Sequence, residues 1–251
     1  MFPKILIMEN LRSTDINKID FRTVAGENKL LKASFSWMAL AMLLTSLSAL
    51  LFAFVPQLTS LLLAPTESGG FKPTMLAYVV MFAPLIFVMA ISFGLQKLSY
   101  PALIGLFVAY SVINGISFSF IFYVYNIGSI TKVFLSTTAL FTLMAIAGYT
   151  TKTDLTKMGS ILMIGLIGIV VASLINMFMH SSQMDYMISI LGVIIFTGLT
   201  AYDVQKIKNL GQFSDNSTTT SKMGIMGALT LYLDFINLFL FLLRLFGGKK
   251  D

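Results

Sequence analysis

The sequence predicts an all-α integral membrane fold with seven transmembrane helices. Of its 251 residues, 57% are hydrophobic and 11% are charged, whereas an ordinary globular chain carries about 25% charged residues. The apolar residues form seven segments, each close to the roughly 20 residues that cross a bilayer. Among the eleven acidic residues, only Asp203 and Asp234 fall within these segments. A multi-pass membrane protein is therefore expected.

The chain divides into a tail and a transmembrane domain. Residues 1–33 are polar and mixed in charge, and we expect them to form a cytoplasmic tail without a cleaved signal peptide. Residues 34–248 are predicted to form the membrane domain. Small residues inside its spans are expected to make close contacts between helices. The seven spans are predicted at residues 34–55, 74–95, 101–125, 133–149, 159–179, 186–204 and 223–246.

The basic residues predict how the spans are oriented. With a cytoplasmic N-terminus, twelve of the seventeen basic residues lie in cytoplasmic segments, and only Lys72 and Lys132 lie in the opposite loops. This agrees with the excess of basic residues in cytoplasmic loops of membrane proteins. Arg244, at the end of the last span, and Lys249 and Lys250, beyond it, are the other three basic residues. This span either re-enters and returns its end to the cytoplasm or crosses against the charge rule. We favour a crossing, because its 24 residues at about 1.5 Å each cover the hydrocarbon core.

Composition excludes several kinds of site. The chain has no cysteine and one histidine, so a disulfide or thiolate site is excluded and a histidine-based metal site is not expected. The net charge of +6 is explained by lysine and arginine in cytoplasmic loops, and we expect no nucleic-acid binding. No bound cofactor is expected.

The last predicted span carries a carboxylate near its middle. Gly227, Thr230, Asp234 and Asn237 share one face of this helix, and Leu, Ile and Phe cover the rest. A carboxylate at bilayer depth costs roughly 3 kcal/mol or more unless it faces protein or water. We therefore expect this helix to lie inside a bundle, with its polar stripe turned toward a functional partner.

A second aspartate lies on the preceding span. Asp203 is near the predicted cytoplasmic end of that helix, and the two helices are connected on the cytoplasmic side. Two neighbouring carboxylates cannot both ionise cheaply, so the pair would take up a proton and respond to pH. The pair would also offer oxygen ligands for a transient calcium contact, although calcium needs six to eight ligands. Thr200, Thr230 and Asn237 are the expected supporting residues.

The predicted depths of the two aspartates do not match. If both helices start level at the membrane surface, Asp234 lies on the order of 10 Å deeper than Asp203. Direct contact then requires a displaced helix, a cytoplasmic extension of one span or a water bridge. Alternatively, each aspartate separately accepts hydrogen bonds from a hydroxyl or an asparagine.

Three stretches resemble the Bax inhibitor family, the transmembrane Bax-inhibitor-motif proteins, whose bacterial branch is called YccA-like. They are LTLYLDFINLFLFLLRLFG in the last span, TAYDVQKI in the sixth, and GYTTKTDLTKMGSIL between the fourth and fifth. The resemblance extends over roughly residues 30–248. It implies six helices around a central seventh, and a pH-dependent calcium leak whose pH sensor corresponds to Asp203 and Asp234. The family's basic residue in the second helix has no counterpart in residues 74–95, so gating is expected to depend on the aspartate pair.

The sequence raises three candidate functions. The first is a proton-gated leak that conducts calcium through the lipid bilayer. The second, an intramembrane aspartyl protease, is disfavoured because Leu231 and Leu233 occupy the glycine positions of the Gly-x-Gly-Asp motif of that class; we expect no enzymatic activity. The third is a non-channel regulator that binds a membrane protein partner, such as a membrane protease or a stress-response protein.

Overall fold

The computed structural model of the chain describes residues 29–66, 70–94, 97–212 and 218–250. The predicted tail lies outside the described residues as far as residue 28. The described chain is helical apart from one short antiparallel hairpin. In order, its elements are α1 Lys29–Phe54, α2 Pro56–Leu62, β1 Leu63–Pro65, β2 Phe71–Pro73, α3 Met75–Gly94, α4 Tyr100–Phe118, α5 Ile121–Val124, α6 Ile127–Thr150, α7 Thr156–Met179, α8 Ser182–Gly211 and α9 Thr218–Phe246.

Six membrane-spanning helices can be recognised by length and composition in the described chain. They are α1, the nearly continuous α4 and α5, α6, α7, α8 and α9, and they correspond to six of the seven predicted spans. The prediction of an all-α, multi-pass membrane protein is confirmed. The remaining predicted span corresponds to α3, whose apolar part Met75–Ile91 is shorter than the other six. Pro84 lies within this helix.

The last two helices are longer than predicted. The sixth span was predicted over residues 186–204 and the seventh over residues 223–246, whereas α8 covers Ser182–Gly211 and α9 covers Thr218–Phe246. Hydropathy detects only the part of a helix that lies in hydrocarbon, while Lys and Gln are good helix formers in water. Helix α8 therefore continues past its apolar segment, whereas the added residues of α9, Thr218–Lys222, are mostly Thr and Ser, whose weaker helix propensity does not explain the extension. The extension of α8 is anchored by Gln205, whose side-chain nitrogen donates to the Thr153 carbonyl at 2.9 Å.

The connections lie at two ends of the bundle. At one end, the α6–α7 connection meets the last turns of α8, where Lys208 Nζ donates to the Tyr149 carbonyl at 3.1 Å. At the other end, the residues after α9 dock on the α5–α6 connection, and the Asn126 amide donates to the Gly248 carbonyl at 2.9 Å. Helix α6 separates these two ends. Helix α9 therefore runs the length of the bundle without turning back.

Helix α9 has the most buried environment of the six long helices. In its most apolar stretch 72% of the residues are buried, against 56% in α8 and 6% in α7. It packs against α4, α6 and α8, and Gly227 brings it against Ser34 at the start of α1. Leu231, Tyr232 and Leu238 are fully buried along its length. Helix α9 is therefore the most buried of the long helices that the structure describes.

Close contact between helices depends on glycine at two points. A Cβ atom at Gly148 in α6 would lie 2.8 Å from the Cα atom of Ala201 in α8, and one at Gly115 would meet the backbone of Thr45 in α1. Backbone atoms cannot move aside as a side chain can, so these positions exclude a larger residue. Gly168 in α7, in contrast, has nothing within 4 Å of its Cβ position.

Replacing Gly148 with alanine should weaken the α6–α8 contact. We expect Gly148→Ala to destabilise the folded protein by about 1–3 kcal/mol, the usual cost of overpacking. The matched control is Gly168→Ala, which should leave stability unchanged or raise it by about 0.5–1 kcal/mol, because alanine is the better helix former. Thermal unfolding in detergent provides the measurement. Equal melting temperatures for the two variants would contradict the close contact.

Candidate functional site

Asp203 and Asp234 lie at the contact between α8 and α9. Both side chains are buried, with exposed fractions of 6% and 4%. Their carboxyl groups are within hydrogen-bonding range of each other. A carboxylate has no hydrogen to donate, so a hydrogen bond between two carboxyl groups requires that the pair hold at least one proton. The structure thus places the two predicted residues together at one buried contact between α8 and α9.

The register between α8 and α9 brings the two carboxyl groups to within about one helical turn of the same level. The Phe241 ring lies directly over Gly192, and the Ile207 side chain lies beside Gly227. These contacts place Gly211, the last residue of α8, level with about residue 223. Roughly the first five residues of α9 therefore extend past α8, which is about 8 Å of helix. Because α8 continues to Gly211, seven residues past its predicted end at residue 204, the extension of one span is the alternative that accounts for most of the predicted offset.

One carboxylate oxygen of the pair has no protein partner. Asp234 Oδ2 is buried and accepts no hydrogen bond within the part of the chain that the structure describes. Leaving a buried polar atom unsatisfied costs about 1–3 kcal/mol, and more for a charged group. A proton on the carboxyl group, or a cation beside it, would remove this cost. The site therefore has an acceptor available for either ligand.

The three expected supporting residues donate to their own helices. Thr200, Thr230 and Asn237 each donate to the backbone carbonyl four residues earlier, at 2.8, 3.1 and 2.8 Å. The hydroxyl hydrogens of Thr200 and Thr230, and one of the two amide hydrogens of Asn237, are therefore used within α8 and α9. A supporting role for them at the aspartate pair stays a prediction.

A basic side chain of α8 itself lies near the aspartate pair. Lys206 is one turn beyond Asp203 and attracts its carboxylate electrostatically. The Lys206 ammonium lies over the Tyr202 ring, 5.7 Å from the centroid, a cation–π distance. Helix α3, which corresponds to the second predicted span, has no basic residue. The cation near the pair is therefore Lys206 of α8.

A second buried polar cluster connects three helices two residues before Asp234. The Tyr232 hydroxyl lies 2.7 Å from Thr45 Oγ1 in α1 and accepts from Asn114 Nδ2 in α4 at 2.8 Å. Thr45 Oγ1 itself donates to the Ser111 carbonyl at 2.9 Å, so Tyr232 is the donor to Thr45. Sequence reasoning missed this cluster, because a tyrosine within an apolar segment reads as packing. The available signal in the sequence was that three polar residues, Thr45, Asn114 and Tyr232, lie inside apolar spans.

Removing the Tyr232 hydroxyl should destabilise the bundle. Tyr232→Phe leaves Asn114 Nδ2 without its acceptor, and an unsatisfied buried group costs about 1–3 kcal/mol. We expect a lower melting temperature in detergent. Tyr186→Phe is the control, because that side chain is 60% exposed and its loss of a hydroxyl should have little effect. If both variants melted with the parent protein, the cluster would not hold α9 in place.

Among the described residues, the two carboxyl groups are the candidate ligands for a metal ion. The described residues contain no group of three or more His, Cys, Asp or Glu side chains that could hold a metal ion. Two carboxylates suit a hard cation such as calcium, but carbonyl oxygens or water must complete its six to eight ligands. The geometry is therefore compatible with a passing ion rather than with a fully built site.

Comparison with known proteins places the chain in a family. Residues 27–251 match the family described as inhibitor of apoptosis-promoting Bax1. The inner membrane protein YbhL of Escherichia coli K12 is 41% identical over 90% of this chain and 94% of its own length. An uncharacterised protein of Borreliella burgdorferi is also 41% identical, with the same coverage. The uncharacterised protein RP147 of Rickettsia prowazekii is 37% identical over 86% of this chain and 88% of its own length. The chain belongs to the Bax inhibitor family of membrane proteins.

Proposed function

We propose that this protein is a pH-sensitive calcium leak whose gate is the Asp203–Asp234 pair. The observation that carries the proposal is the buried carboxyl–carboxyl contact between α8 and α9. A shared proton holds the two helices together at low pH. When that proton leaves, two negative charges face each other in a poorly hydrated contact.

The proposed gate opens by repulsion. Two unit charges about 4 Å apart repel by about 4 kcal/mol at an effective dielectric constant of 20. This is enough to move α8 away from α9, and the separated carboxylates then present oxygen ligands to a hard cation. Conduction therefore rises as pH rises. Asp154, in the α6–α7 connection, takes no part, because hydrogen bonds from Thr156 lower its pKa and keep it charged throughout.

We further propose seven crossings, with six helices around α9. Helix α3 is the additional crossing, since it enters from the hairpin near the end of α1 and packs against α4. The burial of α9 and its contacts with α1, α4, α6 and α8 support a central position.

In the proposed orientation, the N-terminus and the α6–α7 connection face the cytoplasm. Eight lysines and one aspartate lie at that end of the described chain, which fits the excess of basic residues on the cytoplasmic side. The lysines are Lys29, Lys32, Lys97, Lys152, Lys157, Lys206, Lys208 and Lys222. Because YbhL is named an inner membrane protein, we propose a bacterial inner membrane.

We propose a role in transport rather than in catalysis. An intramembrane aspartyl protease needs small glycines beside its second aspartate so that substrate can approach the carboxyl group. Here Leu231 and Leu233 flank that position, and Leu231 is fully buried in the bundle. Their side chains fill the space that a peptide would need.

Calcium flux into liposomes tests the proposal. Purified protein is reconstituted into vesicles that contain a calcium indicator, and calcium entry is recorded between pH 5 and pH 8. We expect entry above that of protein-free vesicles, increasing with pH. If folded and inserted protein gave no entry at any pH, the leak would be excluded and the non-channel regulator, which acts through a membrane protein partner, would become the better explanation.

A further inference from the structure

A groove runs between α1 and α6 on the side of the bundle. It encloses about 880 Å³, with Phe35 on the α1 side and Phe141 and Ile146 on the α6 side. Val204 of α8 and Phe235 of α9 form its floor. All five side chains are apolar, and Ile146 is 55% exposed. Since both walls belong to membrane-spanning helices, the groove is open to hydrocarbon rather than to water.

The groove ends beside a cationic side chain. Lys32 lines it and is exposed, and it makes no ion pair with the residues that the structure describes. It lies in the first turn of α1, at the lysine-rich end of the bundle. Cytoplasmic leaflets carry anionic lipids, which attract basic residues near the membrane surface. An apolar groove with a lysine at one end is complementary to an anionic phospholipid, which has a charged headgroup and hydrocarbon chains.

We propose that this groove binds an anionic phospholipid of the leaflet at the lysine-rich end. The lipid phosphate pairs with Lys32, and one acyl chain lies between α1 and α6. The chain packs against Val204 and Phe235, which directly follow Asp203 and Asp234 in sequence. The lipid therefore contacts α8 and α9, the two helices that carry the aspartate pair, at the residues next to the aspartates in sequence. This binding does not depend on whether the protein conducts calcium.

Quenching of tryptophan fluorescence by brominated lipids tests the proposal. The chain has one tryptophan, Trp37, so Trp37→Phe provides a silent background. Phe35→Trp then places a probe in the groove, and Ile164→Trp places one on the exposed face of α7, where that side chain is 71% exposed. Each protein is reconstituted with brominated phosphatidylglycerol or with brominated phosphatidylcholine, diluted in unbrominated phosphatidylcholine.

We expect the groove probe to prefer the anionic lipid by about fivefold, the contribution of one lysine near an anionic surface. Lys32→Gln should remove this preference. The matched control is Lys157→Gln, which removes an exposed lysine at the same end, on α7, and should leave the preference intact. The probe at position 164 should show little preference in any background.

Two results would overturn the proposal. The first is an equal preference at both probes, or a groove preference that survives Lys32→Gln, since either would mean general attraction to the surface. The second is a groove probe that no brominated lipid quenches, which would mean that protein covers the groove. Because Phe35→Trp alters the groove wall, lipid that copurifies with the unlabelled parent and with Lys32→Gln is counted by mass spectrometry, and the parent must retain more anionic lipid.

Discussion

In proteoliposomes, Asp234→Asn is expected to abolish the pH dependence of calcium entry. The asparagine amide is neutral at every pH and can donate a hydrogen bond to Asp203, so the α8–α9 contact no longer loses its bridging proton. In the parent, proton loss places two charges in contact, and their repulsion of about 4 kcal/mol at 4 Å is enough to change a two-state equilibrium more than tenfold. We expect entry to rise with pH in the parent and to stay low and flat in the variant.

The control for this experiment is another aspartate of the same helix. Asp185, at the start of α8, is half exposed and pairs with Arg244 at 3.4 Å, far along the helix from the buried pair. Asp185→Asn removes the same charge and should leave the flux and its pH profile unchanged. A pH response that survives in Asp234→Asn, with the protein folded and inserted, would mean that the sensor lies elsewhere.

The sequence was sufficient to predict an all-α, multi-pass membrane protein, and it singled out the two aspartates that the structure buries between α8 and α9. Apolar segments of membrane-spanning length are easy to recognise in a sequence. A carboxylate inside such a segment also stands out, because placing its charge at bilayer depth costs free energy. The ends of the helices were harder to predict, because hydropathy stops at Val204 whereas α8 continues to Gly211. The depth of Asp203 was misjudged for the same reason. The level of the pair depends on the axial shift of α9, which side-chain packing sets at Gly192 and Gly227.

The surroundings of the pair explain how a buried charge site can be held in place. Ala201, two residues before Asp203, packs against the backbone of α6 at Gly148. Tyr232, two residues before Asp234, is hydrogen-bonded to α1 and α4. Each aspartate therefore follows a residue fixed to a different part of the bundle. Such anchoring restrains α8 and α9 beside the pair, and the proposed gate adds to it a separation of the two helices driven by repulsion between the carboxylates.

That separation can be measured directly, because the chain has no cysteine and two introduced thiols will carry spin labels without background. Asn209→Cys in α8 and Thr219→Cys in α9 are both exposed positions near the end of the helix pair. We expect the distance between the labels to increase by on the order of a few ångströms between pH 5 and pH 8, a displacement typical of helix shifts in switching proteins.

The control places the same labels on a protein that also carries Asp203→Asn and Asp234→Asn. Without ionisable groups at the contact, the distance distribution should be the same at both pH values and should match that of the parent at pH 5. If the parent distance did not change while its calcium entry did, the α8–α9 contact would not be the moving part. If the distance changed equally in parent and variant, movement would occur but another group would drive it.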